Sequence, residues 1–363
     1  MIPVYKPYIP ERSKEYARAA IDSSWISSHG EYIERCEAFL SDYLGVKHVL
    51  LTNSGTAAAH LVAKAMKHVR PEIESVLVPN SVYVAAWNSL LFDKNLKIVP
   101  TDTHLRTWNM PIHAIQENRK KVQAVLIVHN LGNTINVPYY QRVFKELTFI
   151  EDNCEGLFGT YEAQYTGTAS LASSISFYAN KIITMGEGGA FITNDTEAYK
   201  HARLVWGQGQ TETRFIHSTL GYNYRPTNVQ AALLFGQLEE LPYILEQKRR
   251  VFDYYTENLP NMGPKIVRPD KEIQRVKPAD WMYGVRVIGG DFNKAQKFFR
   301  LRGIDIRPFF SPINSHGHLS EFTEKNTNAE LLKKEIIVLP SYPELEEYKL
   351  NYILKTLEDY VRE

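Results

Sequence analysis

The chain is short of cysteine, of long apolar runs and of net charge, and each shortage removes a class of protein. Only two cysteines occur in 363 residues. Cys36 and Cys154 carry neither a metal-ligand spacing nor a disulfide framework, which fits a reducing cytosol. No apolar stretch approaches the roughly 18 residues that a bilayer-spanning helix needs. The opening MIPVYKPYIPERSK lacks the apolar core of a secretory signal. A cytoplasmic protein without membrane contact is the expectation. Lys+Arg 42 against Asp+Glu 41 leaves a net charge of +1, without the positive excess or basic tail of a nucleic-acid binder. Also missing are a metal-binding His/Cys/Asp cluster, a Gly-x-Ser-x-Gly elbow and a Walker A loop. Gly207-Gln-Gly209 lacks the strand and third glycine of a dinucleotide fingerprint.

What is present reads as an ordinary globular chain, 44% apolar and 23% charged. At about 150 residues per domain, the length suggests roughly two domains. Short apolar runs at His48–Leu51, Ser75–Val78, Lys97–Pro100, Ala124–Val128 and Thr148–Ile150 alternate with longer amphipathic stretches, the pattern of βαβ units. Each run ends near Asn, Ser or Asp, residues that cap helices or turn the chain at the carboxyl end of a strand, where open α/β sheets bind ligands. Asn228–Leu238 predicts a helix, and past Pro242 the stretch Gln247–Leu259 continues the pattern with added charge. From Leu259-Pro260 to about Lys277 the chain turns irregular. A smaller α+β unit follows, with strands near Gly284–Ile288 and Ile336–Leu339. The expected division is a large domain over residues 1–245 and a smaller C-terminal domain over residues 246–363.

The densest chemical signal is Ser176-Phe-Tyr-Ala-Asn-Lys181, followed by Gly186-Glu-Gly-Gly189. A lysine just past a strand end, in a small and polar setting, can sit near a phosphate, lose its proton and form a Schiff base. A solvated surface lysine is the ordinary alternative. Three glycines in four residues imply a sharp turn or a close approach to a ligand. Asp152 ends the run before Asn153, and an acid there can hold a pyridinium nitrogen protonated. Asp152 and Glu155 also stand at capping-box spacing, so a helix N-cap competes with that reading. Asn53-Ser54-Gly55-Thr56 offers backbone N–H groups to a phosphate, or is a plain capped turn. Tyr83 can lie against a planar cofactor or pack in the core. His129 reads as a satisfied structural histidine.

Taken together and in this order, these segments resemble the DegT/DnrJ/EryC1/StrS family of sugar aminotransferases, pyridoxal phosphate (PLP) enzymes of fold type I. The resemblance spans nearly the whole chain. It implies an α/β, aspartate aminotransferase-like fold, with a mostly parallel sheet in the large domain and a smaller α+β domain after it. It implies Lys181 as the Schiff-base lysine, Asp152 as the acid on the pyridine nitrogen, Glu155 beside the ring and Tyr83 stacked on it. Ser54, Gly55, Thr56 and Ser176 match the phosphate cradle. Gly221-Tyr-Asn-Tyr-Arg-Pro-Thr-Asn228 matches a segment that crosses a homodimer, which would bring Arg225 to the partner's cofactor phosphate. Ser24-Trp-Ile-Ser-Ser28, Gly207-Gln-Gly209 and Arg307-Pro-Phe-Phe310 are similar to the GDP-perosamine synthase-like 4-aminotransferases. Trp25, Ser27, Arg307 and Phe309 are then expected at the substrate. After Phe310 the sequence reads Ser311-Pro-Ile-Asn314, where that group carries a histidine, and His316 is the candidate substitute. The implied reaction moves an amino group from L-glutamate, through the pyridoxamine phosphate form, to a nucleotide-linked 4-keto-6-deoxy sugar. A sugar dehydratase or 3-aminotransferase of the same fold is the alternative, as is a non-enzymic binding protein on it. Lys181 stands against the dehydratase, whose members replace this lysine with histidine.

Overall fold

A computed structural model describes residues 1–92, 94–259, 263–270, 275–322 and 326–363. Its strands are β1 (His48–Thr52), β2 (Ser75–Pro79), β3 (Lys97–Thr101), β4 (Ala124–Val128), β5 (Thr148–Asp152), β6 (Thr160–Tyr161), β7 (Gln164–Tyr165), β8 (Ser173–Ser176), β9 (Gly189–Thr193), β10 (Ile266–Val267), β11 (Val276–Lys277), β12 (Tyr283–Val287), β13 (Arg307–Pro308) and β14 (Ile336–Leu339). Its helices are α1 (Glu11–Asp22), α2 (Glu31–Leu44), α3 (Gly55–Val69), α4 (Ala85–Leu91), α5 (Ile112–Asn118), α6 (Val137–Val143), α7 (Thr196–Trp206), α8 (Asn228–Glu239), α9 (Leu241–Asn258), α10 (Phe292–Leu301), α11 (Thr327–Glu335) and α12 (Glu347–Arg362).

Seven strands form the main sheet in the order β1-β9-β8-β5-β4-β2-β3. Only β9 runs against its neighbours. Successive residues of these strands go to opposite faces. Val76, Val78, Leu126 and Ile150 join one apolar cluster, while Leu77, Val125, Ile127 and Phe149 join the cluster on the other side. With both faces covered by helices, the strands read as continuous apolar runs rather than alternating ones. The edge strand β1 is closed by side chains. Glu37 accepts the Leu51 N–H at 2.8 Å, and the Trp206 indole donates to the Leu51 carbonyl at 2.8 Å. Burial pushes the Glu37 carboxyl up to about 7.

A second sheet, in the order β10-β12-β14-β13, is antiparallel throughout and shares its own apolar cluster with α9, α10 and α12. The expected division at residue 245 falls inside α9, which starts at Leu241 and buries Ile244 in one cluster and Val251 and Tyr255 in the other. Pro242 lies in the first turn of α9, where a proline has no intrahelical N–H to lose, so it opens this helix. In the stretch expected to be irregular, residues 260–262 and 271–274 lie outside the described residues. The described part holds β10 and also β11, which pairs back onto β6.

The two sheets are joined at the carboxyl ends of β2 and β3. Asp102, just past β3, accepts the backbone N–H groups of Asn328 and Ala329 at 2.9 and 3.1 Å, and so caps α11 from a distant part of the chain. Asn80, just past β2, donates to the same carboxylate at 3.1 Å. Asp102→Ala is expected to cost about 1–2 kcal/mol, the range for loss of a helix cap. The check is the thermal midpoint, which falls if Asp102 holds α11 and stays at the wild-type value if it does not.

Candidate active site

The site is assembled where β1, β9 and β8 meet. Gly189 at the start of β9 is level with Thr52 on one side and Ser176 on the other. A Cβ at Gly189 would lie 2.6 Å from the Ile175 carbonyl, 2.7 Å from the Ser54 carbonyl and 2.8 Å from the Gly55 nitrogen. A Cβ at Gly55 would lie 2.8 Å from that of Ser176. Only glycine fits at either position, so the N-terminus of α3 is pressed against the end of β8. The glycine cluster was expected to make a turn or approach a ligand. It makes the turn at Gly186, with φ +81°, but Gly189 approaches backbone.

Ser54 caps α3, its side chain accepting the Ala57 N–H at 3.1 Å while its carbonyl accepts that of Ala58. The first N–H groups of a helix have no partner inside it, so Gly55 and Thr56 present donors beside Ser176, the arrangement that binds phosphate. The capped turn and the anion site are here the same structure. Asn53, the residue before, binds the other segment of interest: its backbone N–H donates to the Tyr224 carbonyl at 2.8 Å and its side chain to that of Asn223 at 3.0 Å. Arg225 follows directly and is half-buried, with Nε donating to Asn223 Oδ1 at 3.0 Å.

Asp152 ends β5, level with Ser174 on β8. It is buried, and Oδ1 accepts the Cys154 N–H at 3.0 Å and lies 3.4 Å from the Ser174 hydroxyl. Residues 154–158 form turns rather than a helix, so the capping box allowed by the spacing does not form. Glu155 instead accepts the Leu131 N–H at 2.8 Å. Burial pushes the Glu155 carboxyl up to about 7, against the opposing pull of the Lys181 charge and that N–H. His129 is fully buried, as a structural histidine would be. Its Nδ1 faces the Ile135 N–H at 3.1 Å; a backbone N–H can only donate, so the proton sits on Nε2 and points to Glu151 at 3.0 Å.

Lys181 lies on a tightly held loop after β8. Gln237 of α8 binds the backbone N–H and carbonyl of Thr184, and the Thr184 hydroxyl binds the Phe177 carbonyl. The backbone carbonyl of Lys181 accepts the Tyr5 hydroxyl at 2.9 Å. Its amine rests over the Trp281 ring, 3.9 Å from the centroid, and the indole N–H of Trp281 donates to the Asn180 carbonyl at 2.8 Å. The Lys181 charge also acts on Glu155 and Cys154, three and two residues beyond Asp152. Neither Trp281 nor Tyr5 belongs to a recognisable motif, and sequence reasoning missed both.

The remaining expected residues fall into two groups. Tyr83 is 61% exposed rather than packed in the core, and Phe310 lies edge-on to it with ring centroids 6.5 Å apart. The segment with Phe310 is tied to the end of β2 by the Ser81 hydroxyl on the Phe310 carbonyl and by the Ile313 N–H on that of Asn80. On this segment Arg307 is exposed and paired with Asp305 at 3.2 Å. Phe309 turns into the core against Trp108, at 2% exposure, and His316 packs half-buried on Trp87. Trp25 and Ser27 form the second group. Asn228 donates from its side chain to the Trp25 carbonyl and from its backbone to that of Ser27, both at 2.7 Å. An exposed Trp25–Ser27 loop is thereby fixed three residues from Arg225.

An amine on the loop after β8, a buried acid at the end of β5 and the N–H donors of Gly55 and Thr56 beside Ser176 thus lie around the ends of neighbouring strands. Their chemistry fits a phosphorylated pyridine cofactor: the acid for a ring nitrogen, the amine for an aldehyde, the donors for a phosphate. Over 364 residues the chain is 31% identical to the GDP-perosamine synthase of Escherichia coli O157:H7, covering 99% of this chain and 98% of that one. In fold it is similar to Helicobacter pylori PseC, an aminotransferase of pseudaminic acid biosynthesis, with a TM-score of 0.91 and 22% identity over 99% of this chain and 98% of that one. It is similar also to the putative sugar aminotransferase Spr1654 of Streptococcus pneumoniae in its PMP form, with a TM-score of 0.89 and 21% identity over 100% and 99% of the two chains. The profile of one family matches residues 7–358, and on that match the chain belongs to the DegT/DnrJ/EryC1/StrS aminotransferase family.

Proposed function

We propose that this aminotransferase converts a nucleotide-linked 4-keto-6-deoxy sugar to its 4-amino sugar, takes the nitrogen from L-glutamate and works as a homodimer. The carrying observation is that a lysine amine and a buried carboxylate lie beyond the ends of adjacent strands: Lys181 on the loop after β8, its amine resting on Trp281, and Asp152 at the end of β5. Bound PLP supplies an electron sink for the electron pair released when a C–H bond of the amino donor is broken.

The chain's own residues do the rest. Lys181 Nζ anchors the cofactor and, once displaced, carries a proton between donor carbon and cofactor. Asp152 holds the proton on the ring nitrogen, and the N–H of Cys154 keeps its carboxylate pointed. Gly55 and Thr56 bind phosphate through backbone N–H groups, with Ser54 and Ser176 beside them. Tyr83 offers an exposed ring to one face of the cofactor. Glu155 sits beside the ring as an acid that holds its proton below about pH 7. Trp25, Ser27, Arg307 and His316 are the substrate-side candidates. Phe309, buried against Trp108, acts there only as a support for its neighbours. Both cysteines are free, and among the described residues no helix is long and apolar enough to cross a membrane. We place the enzyme in the cytoplasm.

The dimer reading rests on exposed apolar residues of two segments joined to Arg225, the Trp25–Ser27 loop and the hairpin before Asn223: Trp25, Ile26, Phe215, Ile216 and Leu220 are each more than half exposed. An isologous contact over this patch would give each subunit's Arg225 to the other's phosphate.

Purified protein given L-glutamate and a panel of UDP-, dTDP- and GDP-linked 4-keto-6-deoxy sugars is expected to replace the keto oxygen of at least one of them by an amino group, read by mass spectrometry. Amination of none contradicts the reading. In the same assay Asp152→Asn should slow the half-reaction with glutamate by about 10²–10⁴-fold, since an amide cannot hold the ring proton. An unchanged rate would leave Asp152 only the Cys154 turn to stabilise. For the shared site, Arg225→Ala and Lys181→Ala chains are mixed under conditions of verified subunit exchange. The mixed dimer then has one site with both defects and one with neither, so activity rises above either parent. No recovery places Arg225 within its own subunit's site, where Asn53 already holds its neighbours.

A further inference from the structure

Lys248 of α9 is fully buried. Its ammonium donates to the Trp281 carbonyl at 2.7 Å and to the Ser341 carbonyl. The rings of Tyr5 and Phe252 lie on other sides, each centroid 5.1 Å from Nζ. Among the described residues no carboxylate is within 4.0 Å of it; the Asp280 charge acts on it only from farther off. Burying an ammonium without a counter-ion is costly unless its donors are used.

The two carbonyls show what those donors do. In the antiparallel register Tyr283 faces Leu339, so Trp281 and Ser341 would be the second facing pair beyond the last ladder residue. There the strands part, and Lys248 bridges their carbonyls while the Ser341 hydroxyl takes the Tyr283 N–H. Trp281 is thereby held at both ends, its carbonyl by Lys248 and its indole N–H by the Asn180 carbonyl, next to Lys181. Tyr5 forms a second link: its ring faces Lys248 and its hydroxyl binds the Lys181 carbonyl.

We propose that Lys248 is a positioning residue for Lys181 and acts through Trp281: it fixes the plane of the indole on which the lysine amine rests whenever that amine is not bound to the cofactor. The site residues themselves do not touch Lys248. Burial pushes its ammonium down to about 7, with the Asp280 carboxylate pulling the other way. The Lys181 charge reaches Glu155 and Cys154, and its amine rests on the Trp281 ring. An amine held over an indole face gains a cation–π contact, which favours its charged form and slows its reaction as a nucleophile.

The inference rests on Lys181 being the cofactor lysine, and its test is kept separate from turnover. The full-length protein, stripped of cofactor, is labelled with a trace of acetic anhydride across a pH series, and the rate at each lysine is read by peptide mass spectrometry. In a folded Lys248→Met variant, Lys181 is expected to label about two- to tenfold faster near neutral pH than in the wild type, with the exposed lysines unchanged as internal standards. Trp281→Leu should produce the same change, and the double variant no more than either alone, because both act through one contact. An unchanged Lys181 rate in Lys248→Met overturns the proposal, as do two effects that add. If the Met variant does not fold, Lys248→Gln, too short to bridge both carbonyls, carries the same expectation and the same reversal. Because the labelling needs no substrate, its failure leaves the aminotransferase reading standing, and failure of the amination assay leaves this one standing.

Discussion

The close approach of three backbone segments at Gly189 is the constraint on which the site depends. β9 enters between β1 and β8 with no room for a side chain, and Gly55 meets Ser176 under the same restriction. With these distances satisfied, the first turn of α3 stands beside the end of β8, the strand that lies between it and Asp152 and that leads into the loop of Lys181. A methyl group at either glycine would collide mostly with backbone or Cβ atoms rather than the flexible tip of a side chain. The phosphate cradle is in this sense a consequence of strand packing at the edge of the sheet.

Around this point the chain spends polar contacts on holding loops rather than on the ligand. Gln237 fixes the backbone of Thr184, Asn228 fixes the Trp25–Ser27 loop, Asn80 and Asp102 fix the segments that carry Phe310 and α11. Each of these side chains comes from a helix start, a strand end or a helix interior, so loops that carry chemistry are tied to elements that cannot move far. A reacting lysine must sit within a fraction of an ångström of its partners to be useful, and rigid support is how a loop residue achieves that.

The parts of this arrangement legible in the sequence were those with local signals. The five strands from His48 to Asp152 were readable because burial on both faces leaves uninterrupted apolar runs, and each lies within two residues of its expected end. Asp152 and the glycine-flanked Lys181 were readable because strand ends and glycine clusters are local. α9 starts at Leu241, six residues before the expected Gln247, because Pro242 lies within its first turn instead of preceding the helix. Where spacing left two outcomes, tertiary contact chose: Asp152 and Glu155 have the spacing of a capping box, yet Glu155 satisfies Leu131 instead. Phe309 matched a substrate motif, but its neighbour Phe310 is the one beside Tyr83. Trp281, Tyr5 and Lys248 lay beyond reach altogether, since their partners are 101, 176 and 93 residues away along the chain.

The central claim is that one lysine, the one at the end of β8, carries the cofactor. Loading the purified protein with PLP, reducing it with borohydride, digesting it and mapping the pyridoxyl label tests this directly. The account predicts the label on Lys181 alone. A label on another lysine, the buried Lys248 included, or a protein that takes up no label, would contradict it.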